Sequence, residues 1–230
     1  MPQPTETFAR IPLFRSLDQP ALQRLQSACT WRHAPAGQWV IDHEAEGTDV
    51  FFVLRGQVRV VVSLGGRETI LRDISAGEFF GELAALDAKP RSAGILAISD
   101  SSLACMPATE FRRAIHAHPD VCDQVLAVLV GQIRMLANRT SETSGLSVKQ
   151  RLWAELLRLA RPSGSPAGPP VVSPPCTHAE LAARVSSHRE AVTRELSALE
   201  RAGLIARRRG AIALLDVERL RRMVTDATME

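Results

Sequence analysis

The stretch GEFFGELAAL at residues 77–86, followed by PRSA at residues 90–93, indicates how this 230-residue chain folds. It places Gly81 and Glu82 shortly before an arginine and a serine, Arg91 and Ser92. A glycine lets backbone N–H groups approach an anion closely. A guanidinium fits phosphate oxygens with a planar fork of donors, and a carboxylate accepts hydrogen bonds from sugar hydroxyls. The segment therefore predicts a ligand with a phosphate next to a ribose.

Short β-branched and aromatic runs surround this segment, residues 77–93, which we call the cassette. Glycine-rich and polar turns separate the runs, which cover residues 40–41, 50–54, 58–62, 69–71, 95–98 and 102–106. Strands of this length and spacing are typical of a β-sandwich or jelly roll. Helical spacing of apolar residues predicts one helix before the strands, at residues 19–29, and another after them, at residues 110–117.

A long helix is predicted from about Asp120 to about Arg139, after a break at Pro119. Two apolar rows run along it: Leu126, Leu129, Ile133 and Leu136 form one, and Val121, Val125, Val128 and Met135 form the other. One row can cover the β domain of the same chain, and the other lacks a partner within the chain. This pattern indicates a dimerisation helix. The alternative is a helix that lies wholly on its own domain.

The C-terminal third predicts a winged helix-turn-helix. A helix at residues 146–159 precedes a proline- and glycine-rich loop at residues 161–170. Two capping boxes, Thr177–Glu180 and Ser187–Glu190, open two further helices, the second ending at about Arg201. In a helix-turn-helix, the second helix presents its N-terminal residues to base edges. Residues 204–215 then predict a β-hairpin wing with three arginines for phosphate contact, Arg207, Arg208 and Arg209.

Charge and cysteine usage narrow the class of protein. Residues 1–148 carry 14 basic and 16 acidic side chains, whereas residues 149–230 carry 14 basic and 9 acidic ones. A basic C-terminal part is typical of a sensor domain joined to a nucleic-acid-binding domain. Incidental variation of surface residues would also give this asymmetry of charge. The four cysteines are scattered without a C-x-x-C pair, which argues against a metal site. Neither a signal peptide nor a membrane-length apolar segment is evident, so we expect a cytoplasmic protein without a membrane partner.

The cassette resembles that of the Crp/Fnr (cAMP receptor protein/FNR) family of bacterial transcription regulators. The segment from Glu180 to Leu196, which contains the pattern Arg-Glu-x-x-x-Arg from Arg189 to Arg194, resembles the recognition motif of the same family. The resemblance implies an α+β chain with an N-terminal cyclic-nucleotide-binding β jelly roll, a long dimerisation helix and a C-terminal winged helix-turn-helix. We place these parts at residues 1–119, 120–146 and 147–230. The family consists of homodimeric, non-enzymatic DNA-binding regulators, and RNA polymerase is an expected partner. The cysteine cluster of the FNR branch is missing.

The resemblance assigns roles in the cassette. Glu82 would bind the ribose 2′-hydroxyl, and Arg91 and Ser92 would bind the cyclic phosphate, assisted by backbone N–H groups near Gly81 and Leu83. A serine after the arginine favours cAMP over cGMP by family analogy. The alternatives are a structural ion pair between Glu82 and Arg91, or a vestigial pocket in a regulator that answers another signal or none.

The base end of the pocket departs from the family. The family's Thr-Ser pair that contacts adenine aligns with Leu136 and Ala137, whose side chains neither donate nor accept hydrogen bonds. Gln132, one turn earlier, is a polar candidate for the same site.

On the DNA side, the resemblance implies that Arg189 and Arg194 read guanines and that Glu190 accepts from cytosine, in a TGTGA-type palindrome. His188 and Arg208 would contact phosphates. Glu190 could instead cap its helix, the wing arginines could be solvated surface, and His188 could be an exposed bystander.

Overall fold

The computed structural model describes residues 8–42, 45–164 and 168–225. The chain divides into two compact units, Met1–Ile133 and Arg134–Glu230. Within the described ranges, no helix has both the length and the apolar character needed to span a bilayer. The same ranges contain no cluster of three or more histidine, cysteine or carboxylate side chains that could hold a metal ion.

The first unit is built on two four-stranded antiparallel sheets. Their order is β1-β8-β3-β6 in one and β2-β7-β4-β5 in the other. Consecutive strands β7 and β8 lie in different sheets, so the chain crosses between layers as in a jelly roll. The strands are β1 (Thr30–Ala34), β2 (Trp39–Ile41), β3 (Val50–Arg55), β4 (Gln57–Leu64), β5 (Arg67–Ser75), β6 (Phe79–Phe80), β7 (Gly94–Ala97) and β8 (Ser101–Met106).

Phenylalanines fill the two cores of this unit. In one core, Phe8 and Phe14 stack with ring centroids 5.2 Å apart, and both contact Phe52 of β3. In the other, the rings of Phe51 and Phe80 lie nearly parallel with centroids 5.1 Å apart. Burying a side chain of this size contributes about 1.5–3 kcal/mol. Because Phe80 belongs to β6, this packing fixes the strand that leads into Gly81 and Glu82 of the cassette.

Four helices belong to the β unit or begin in it: α1 (Gln19–Ser27), α2 (Glu82–Asp87), α3 (Ala108–Ala117) and α4 (Pro119–Gly145). Val121 and Val125 of α4 are buried in the phenylalanine core. In contrast, Leu126, Val130, Ile133 and Leu136 are exposed. We call these four residues the apolar seam. The two predicted rows of α4 therefore differ in burial, and Leu129 of the first row also packs on the core.

The second unit contains four helices and a three-stranded sheet of order β10-β11-β9. Its elements are α5 (Val148–Leu159), β9 (Val171–Val172), α6 (His178–Arg184), α7 (Arg189–Arg201), β10 (Ile205–Arg208), β11 (Ala211–Leu214) and α8 (Val217–Thr225). In the wing, Arg208 pairs with Ala211, so Arg209 and Gly210 form a two-residue turn. Gly210 has φ 77°, as such tight turns favour. The predicted fold class is confirmed.

Local predictions for the second unit were partly wrong. Thr177 and Glu180 do form a capping box, but the one predicted at Ser187–Glu190 is absent. The N–H of Ser187 instead donates to the Ala182 carbonyl at 2.9 Å, closing the turn. Helix α7 therefore begins one residue later than predicted, with His188 as its N-cap residue and without a side-chain cap.

Two predicted boundaries also shift. Helix α5 begins at Val148 rather than Leu146, because Ser147 caps it in a box with Gln150. Within the predicted proline-rich loop, residues 165–167 lie outside the described residues. At its ends, Arg161 and Val171 exchange two backbone hydrogen bonds, of 2.9 and 2.8 Å.

Candidate functional site

Gly81 joins β6 to α2 in a conformation that requires glycine. Its φ is +86°, in the left-handed region. A Cβ at this position would lie 2.6 Å from Arg91 Nη1 and 2.8 Å from the Asp49 carbonyl oxygen. Both distances are shorter than real Cβ contacts. The guanidinium of Arg91 therefore occupies the space that a side chain at position 81 would need.

Arg91 is buried and is held by main-chain oxygens. Only 6% of the residue is exposed. Nη1 donates to the Gly81 carbonyl at 3.1 Å and Nη2 donates to the Asp49 carbonyl at 2.9 Å. The guanidinium carbon lies 5.7 Å from the ring centroid of Phe51. Burial lowers the pKa of Arg91, and this is opposed by the charges of Asp49, Cys105 and Glu82.

Glu82 is also buried, at 4% exposure, but it does not pair with Arg91. Its Oε1 accepts a hydrogen bond of 3.0 Å from Nε2 of Gln132 on α4. Among the described residues, no carboxylate oxygen lies within 4.0 Å of the Arg91 guanidinium, so the structural ion pair considered from the sequence is wrong. The cassette holds two buried, oppositely charged side chains, each engaged by neutral groups. Each retains hydrogen-bonding capacity for a ligand.

The remaining predicted pocket residues differ in position. Leu83 and Ser92 are exposed, and each directly follows one of the two buried charges in the sequence. Leu136 and Ala137 are exposed residues of α4 and belong to the second unit. Of the three α4 candidates, Gln132 lies in the first unit and contacts Glu82 of the cassette.

Sequence reasoning missed the contributions of Asp49 and Phe51. Asp49 acts through its main-chain carbonyl, which any residue could supply, so no side-chain signal existed. Its carboxylate lies 3.5 Å from the thiol of Cys105, and burial, with Asp49 next, raises the pKa of Cys105 to about 11. In the sequence, Phe51 cannot be distinguished from other aromatic residues of the predicted strands, although its ring lies beneath the Arg91 guanidinium.

Helix α7 presents the predicted DNA-reading side chains to solvent. Val192, Leu196 and Leu199 are buried in the core of the second unit. Arg189, Glu190 and Arg194 are exposed. Within the described part of the chain, these three side chains form neither hydrogen bonds nor ion pairs with other side chains. The inner face anchors the helix, and the charged outer face keeps its hydrogen-bonding groups available.

Flanking positions expose further polar side chains beside this surface. His188 is exposed at the start of α7, and Arg208 is exposed on the wing. Arg207 differs, because its Nε lies 3.4 Å from Glu200 Oε2 and its charge is partly neutralised. Of the three wing arginines, the structure therefore gives one an intramolecular ion-pair partner.

Comparisons with known proteins agree with this architecture. A model of the cyclic nucleotide-binding domain matches residues 31–118, and a model of the Crp-like helix-turn-helix domain matches residues 150–223. The chain belongs to the Crp/Fnr family. It is a DNA-binding transcription regulator of the Crp type that carries a cyclic nucleotide-binding domain, and the relatives it matches are regulators rather than enzymes.

Individual relatives of this Crp/Fnr regulator cover almost its whole length. A CRP-like cAMP-activated global transcriptional regulator of Mycobacterium tuberculosis is 26% identical over 219 residues, 94% of this chain and 98% of the relative. A CooA mutant from Carboxydothermus hydrogenoformans shares the fold with a TM-score of 0.80 at 16% identity, covering 97% of both chains. The c-di-GMP responsive regulator CLP of Xanthomonas campestris gives a TM-score of 0.73 at 20% identity, covering 86% of this chain and 99% of CLP.

Proposed function

We propose that this chain is a homodimeric transcription regulator whose affinity for DNA is controlled by a cyclic nucleotide, with cAMP as the first candidate. The observation that carries the proposal is the pair of buried charges in the cassette, Arg91 and Glu82, which do not neutralise each other directly. Burying an arginine without a directly bonded counter-charge is unfavourable, and a phosphate would supply that charge.

Arg91 and Glu82 suit the two halves of a cyclic nucleotide, the phosphate and the ribose. The exocyclic phosphate oxygens would accept from Arg91 and from the hydroxyl of Ser92, with backbone N–H groups from Gly81 to Leu83 assisting. The ribose 2′-hydroxyl would donate to Glu82, which already accepts from Gln132 and has a second oxygen available.

The identity of the base is a finer part of the proposal. The cAMP-activated M. tuberculosis relative supports cAMP, as does the serine at position 92, and cGMP is the alternative. A second candidate is a regulator with a vestigial pocket, or one that answers another signal. It is favoured by Leu136 and Ala137, which offer no hydrogen bonds to a purine.

Calorimetric titration of the full chain with cAMP and, separately, cGMP tests the pocket. We expect micromolar or tighter binding of cAMP that is abolished in Arg91→Ala and reduced in Ser92→Ala. Ser92 is exposed, so its variant tests the contact without a risk to folding. Arg55→Ala is the matched control, because Arg55 is exposed and lies outside the cassette. Absence of binding by either nucleotide would favour the vestigial pocket and leave the DNA-binding function intact.

For the DNA target, we propose an inverted repeat of TGTGA-type half-sites. Arg189 and Arg194 would bind guanines and Glu190 a cytosine amine, while His188 and Arg208 contact phosphates. In a mobility-shift assay, Arg189→Ala should lose about 1–3 kcal/mol of preference for the palindrome over a scrambled duplex. Arg201→Ala, at the other end of α7, should retain that preference. Equal affinity of the native chain for both duplexes would contradict the target.

The allosteric mechanism follows from the domain order. We propose the β domain at residues 1–119, the dimerisation helix and hinge at 120–146 and the DNA-binding domain at 147–230, in a cytoplasmic protein that acts on RNA polymerase. A ligand shifts such a protein only by binding its DNA-competent state more tightly than the other state. Pairing of α4 with a second copy would place both recognition helices on one palindrome.

A further inference from the structure

His178 lies against the outer face of the recognition helix, where nothing above assigns it a role. It is the first residue of α6 and is half-buried. Its Nδ1 lies 2.7 Å from Oγ1 of Thr193, one turn beyond Arg189 on α7. The imidazole therefore sits beside the side chains that are proposed to read DNA.

The hydrogen bonds of Thr193 determine the tautomer of this histidine. The Thr193 hydroxyl donates its single proton to the Arg189 carbonyl at 2.8 Å. In this orientation of the hydroxyl, Thr193 Oγ1 accepts from His178 and Nδ1 carries a proton. Nε2 of the neutral ring is then an acceptor only, and it forms no hydrogen bond with the described residues. Protonation would convert Nε2 into a cationic donor while leaving the bond to Thr193 unchanged.

The charges around the ring are mainly positive. Burial, and then the charges of Arg207 on β10 and Arg189 on α7, lower the pKa of His178. The nearby carboxylates are engaged elsewhere: Glu180 on α6 binds the Thr177 N–H, and Glu200 on α7 pairs with Arg207. In the free protein at neutral pH, the ring is consequently neutral and Nε2 has no proton to donate.

We propose that His178 is a further DNA-contact residue, which binds a backbone phosphate through Nε2–H and thereby links DNA binding to the uptake of one proton. The proposal rests on the DNA-reading surface described above. A DNA phosphate brings negative charge to a place where Arg189 and Arg207 supply positive charge. It therefore favours the imidazolium, which is the form that can donate to it.

The sign of the pH effect follows from this linkage. Because the bound state holds one more proton than the free protein and free DNA, affinity increases as pH falls through the bound-state pKa of His178. It stops increasing once the free protein is also protonated. One proton permits at most a tenfold change per pH unit. Between pH 8 and pH 6, we expect an increase of about three- to tenfold, as for one charge-assisted contact.

The test measures DNA affinity of the full chain between pH 6 and pH 8, on a TGTGA palindrome and on a scrambled duplex at low salt. His178→Asn keeps an amide donor near the position of Nδ1 but cannot titrate. His178→Arg carries a permanent charge. His116→Asn removes an exposed histidine of α3, outside the DNA-reading surface, and is the matched control. Thermal unfolding of each variant verifies that it folds.

The proposal expects His178→Asn to lose the pH dependence and His116→Asn to keep it. It expects His178→Arg to bind at pH 8 about as tightly as the native chain does at pH 6. The slope of log affinity against log salt should also be steeper at pH 6 than at pH 8, by about one, in the native chain alone. A purely structural histidine would not change that slope.

Two results would overturn the inference: an unchanged pH dependence in His178→Asn, or its loss in His116→Asn. A phosphate contact is independent of sequence, so both duplexes should show the effect even if the TGTGA target is wrong. If neither duplex binds at any pH, the proposed DNA-reading surface is wrong, and the proposed role of His178 is wrong with it.

Discussion

Gly81 shows how one missing methyl group can position a binding arginine. We predict that Gly81→Ala costs about 2–4 kcal/mol, because a left-handed φ is strained for alanine and the new Cβ would displace the guanidinium of Arg91. Gly37→Ala separates these two causes. Gly37 has φ +85°, but nothing lies within 4 Å of its Cβ position. That variant should cost only about 1 kcal/mol.

Urea unfolding and calorimetry with cAMP measure both effects. If Arg91 is the phosphate ligand, Gly81→Ala should also lose nucleotide affinity while Gly37→Ala retains it. Equal losses of stability in the two variants would mean that the contact between a Cβ at position 81 and the Arg91 guanidinium adds nothing to the cost of the substitution.

The kinds of residue in the cassette were predictable, but their partners were not. Glycine, carboxylate and arginine at fixed spacing follow from ligand chemistry, so the sequence points to Gly81, Glu82 and Arg91. Whether Arg91 would pair with Glu82 depended on which other segment of the chain lies next to the Arg91 guanidinium. The chain brings the Asp49 carbonyl there, and a main-chain acceptor leaves no mark in the sequence.

At the scale of elements, the apolar seam of α4 makes a testable dimer surface. Ile133 is 66% exposed, which is costly for a large apolar side chain unless a partner covers it. We predict that Ile133→Glu converts a dimer to a monomer in sedimentation equilibrium without lowering monomer stability. Ala127→Glu is the control, because Ala127 is exposed about a third of a turn from the centre of the seam. A native chain that is monomeric, or a dimer unaffected by Ile133→Glu, would contradict this use of the seam.

A buried carboxylate explains why α4 extends six residues beyond its predicted end. Apolar periodicity stops at Leu136, but Arg139 Nη2 lies 3.5 Å from Glu155 of α5, and Glu142 binds Arg158 at 2.7 Å. Glu155 also contacts Arg158 and lies 3.5 Å from Arg184 of α6. Charged contacts over such separations are invisible to a periodicity argument, so the pattern predicted the apolar part of the helix alone.

We predict that Glu155→Gln destabilises the second unit by about 3 kcal/mol, because it removes the carboxylate that lies beside the buried Arg184 and the half-buried Arg139. Urea unfolding followed by fluorescence of Trp153, the one tryptophan of this unit, measures the loss. Glu218→Gln removes an exposed carboxylate that pairs with Arg221, and it should cost less than about 0.5 kcal/mol. Similar unfolding midpoints for the two variants would show that the buried cluster adds no stability.

For the whole molecule, the question is how a ligand in the first unit influences DNA binding by the second. Helix α4 contains residues of both units. Its Gln132 donates to Glu82, which we propose as the ligand of the ribose. A movement of the Glu82 carboxylate on ligand binding would therefore act directly on α4. Linkage requires that the factor by which cAMP changes DNA affinity equals the factor by which DNA changes cAMP affinity.

We therefore predict that Gln132→Met reduces this shared factor more than it reduces cAMP affinity in the absence of DNA. Methionine has a similar length and cannot donate to Glu82, whereas Arg91 and Ser92 would still bind the phosphate. Gln124→Met is the matched control, since Gln124 is an exposed glutamine of the same helix. DNA titrations with and without saturating cAMP give the factor in each variant. If Gln132→Met keeps the native factor, the hydrogen bond to Glu82 only positions the carboxylate, and the coupling must pass through other contacts of α4.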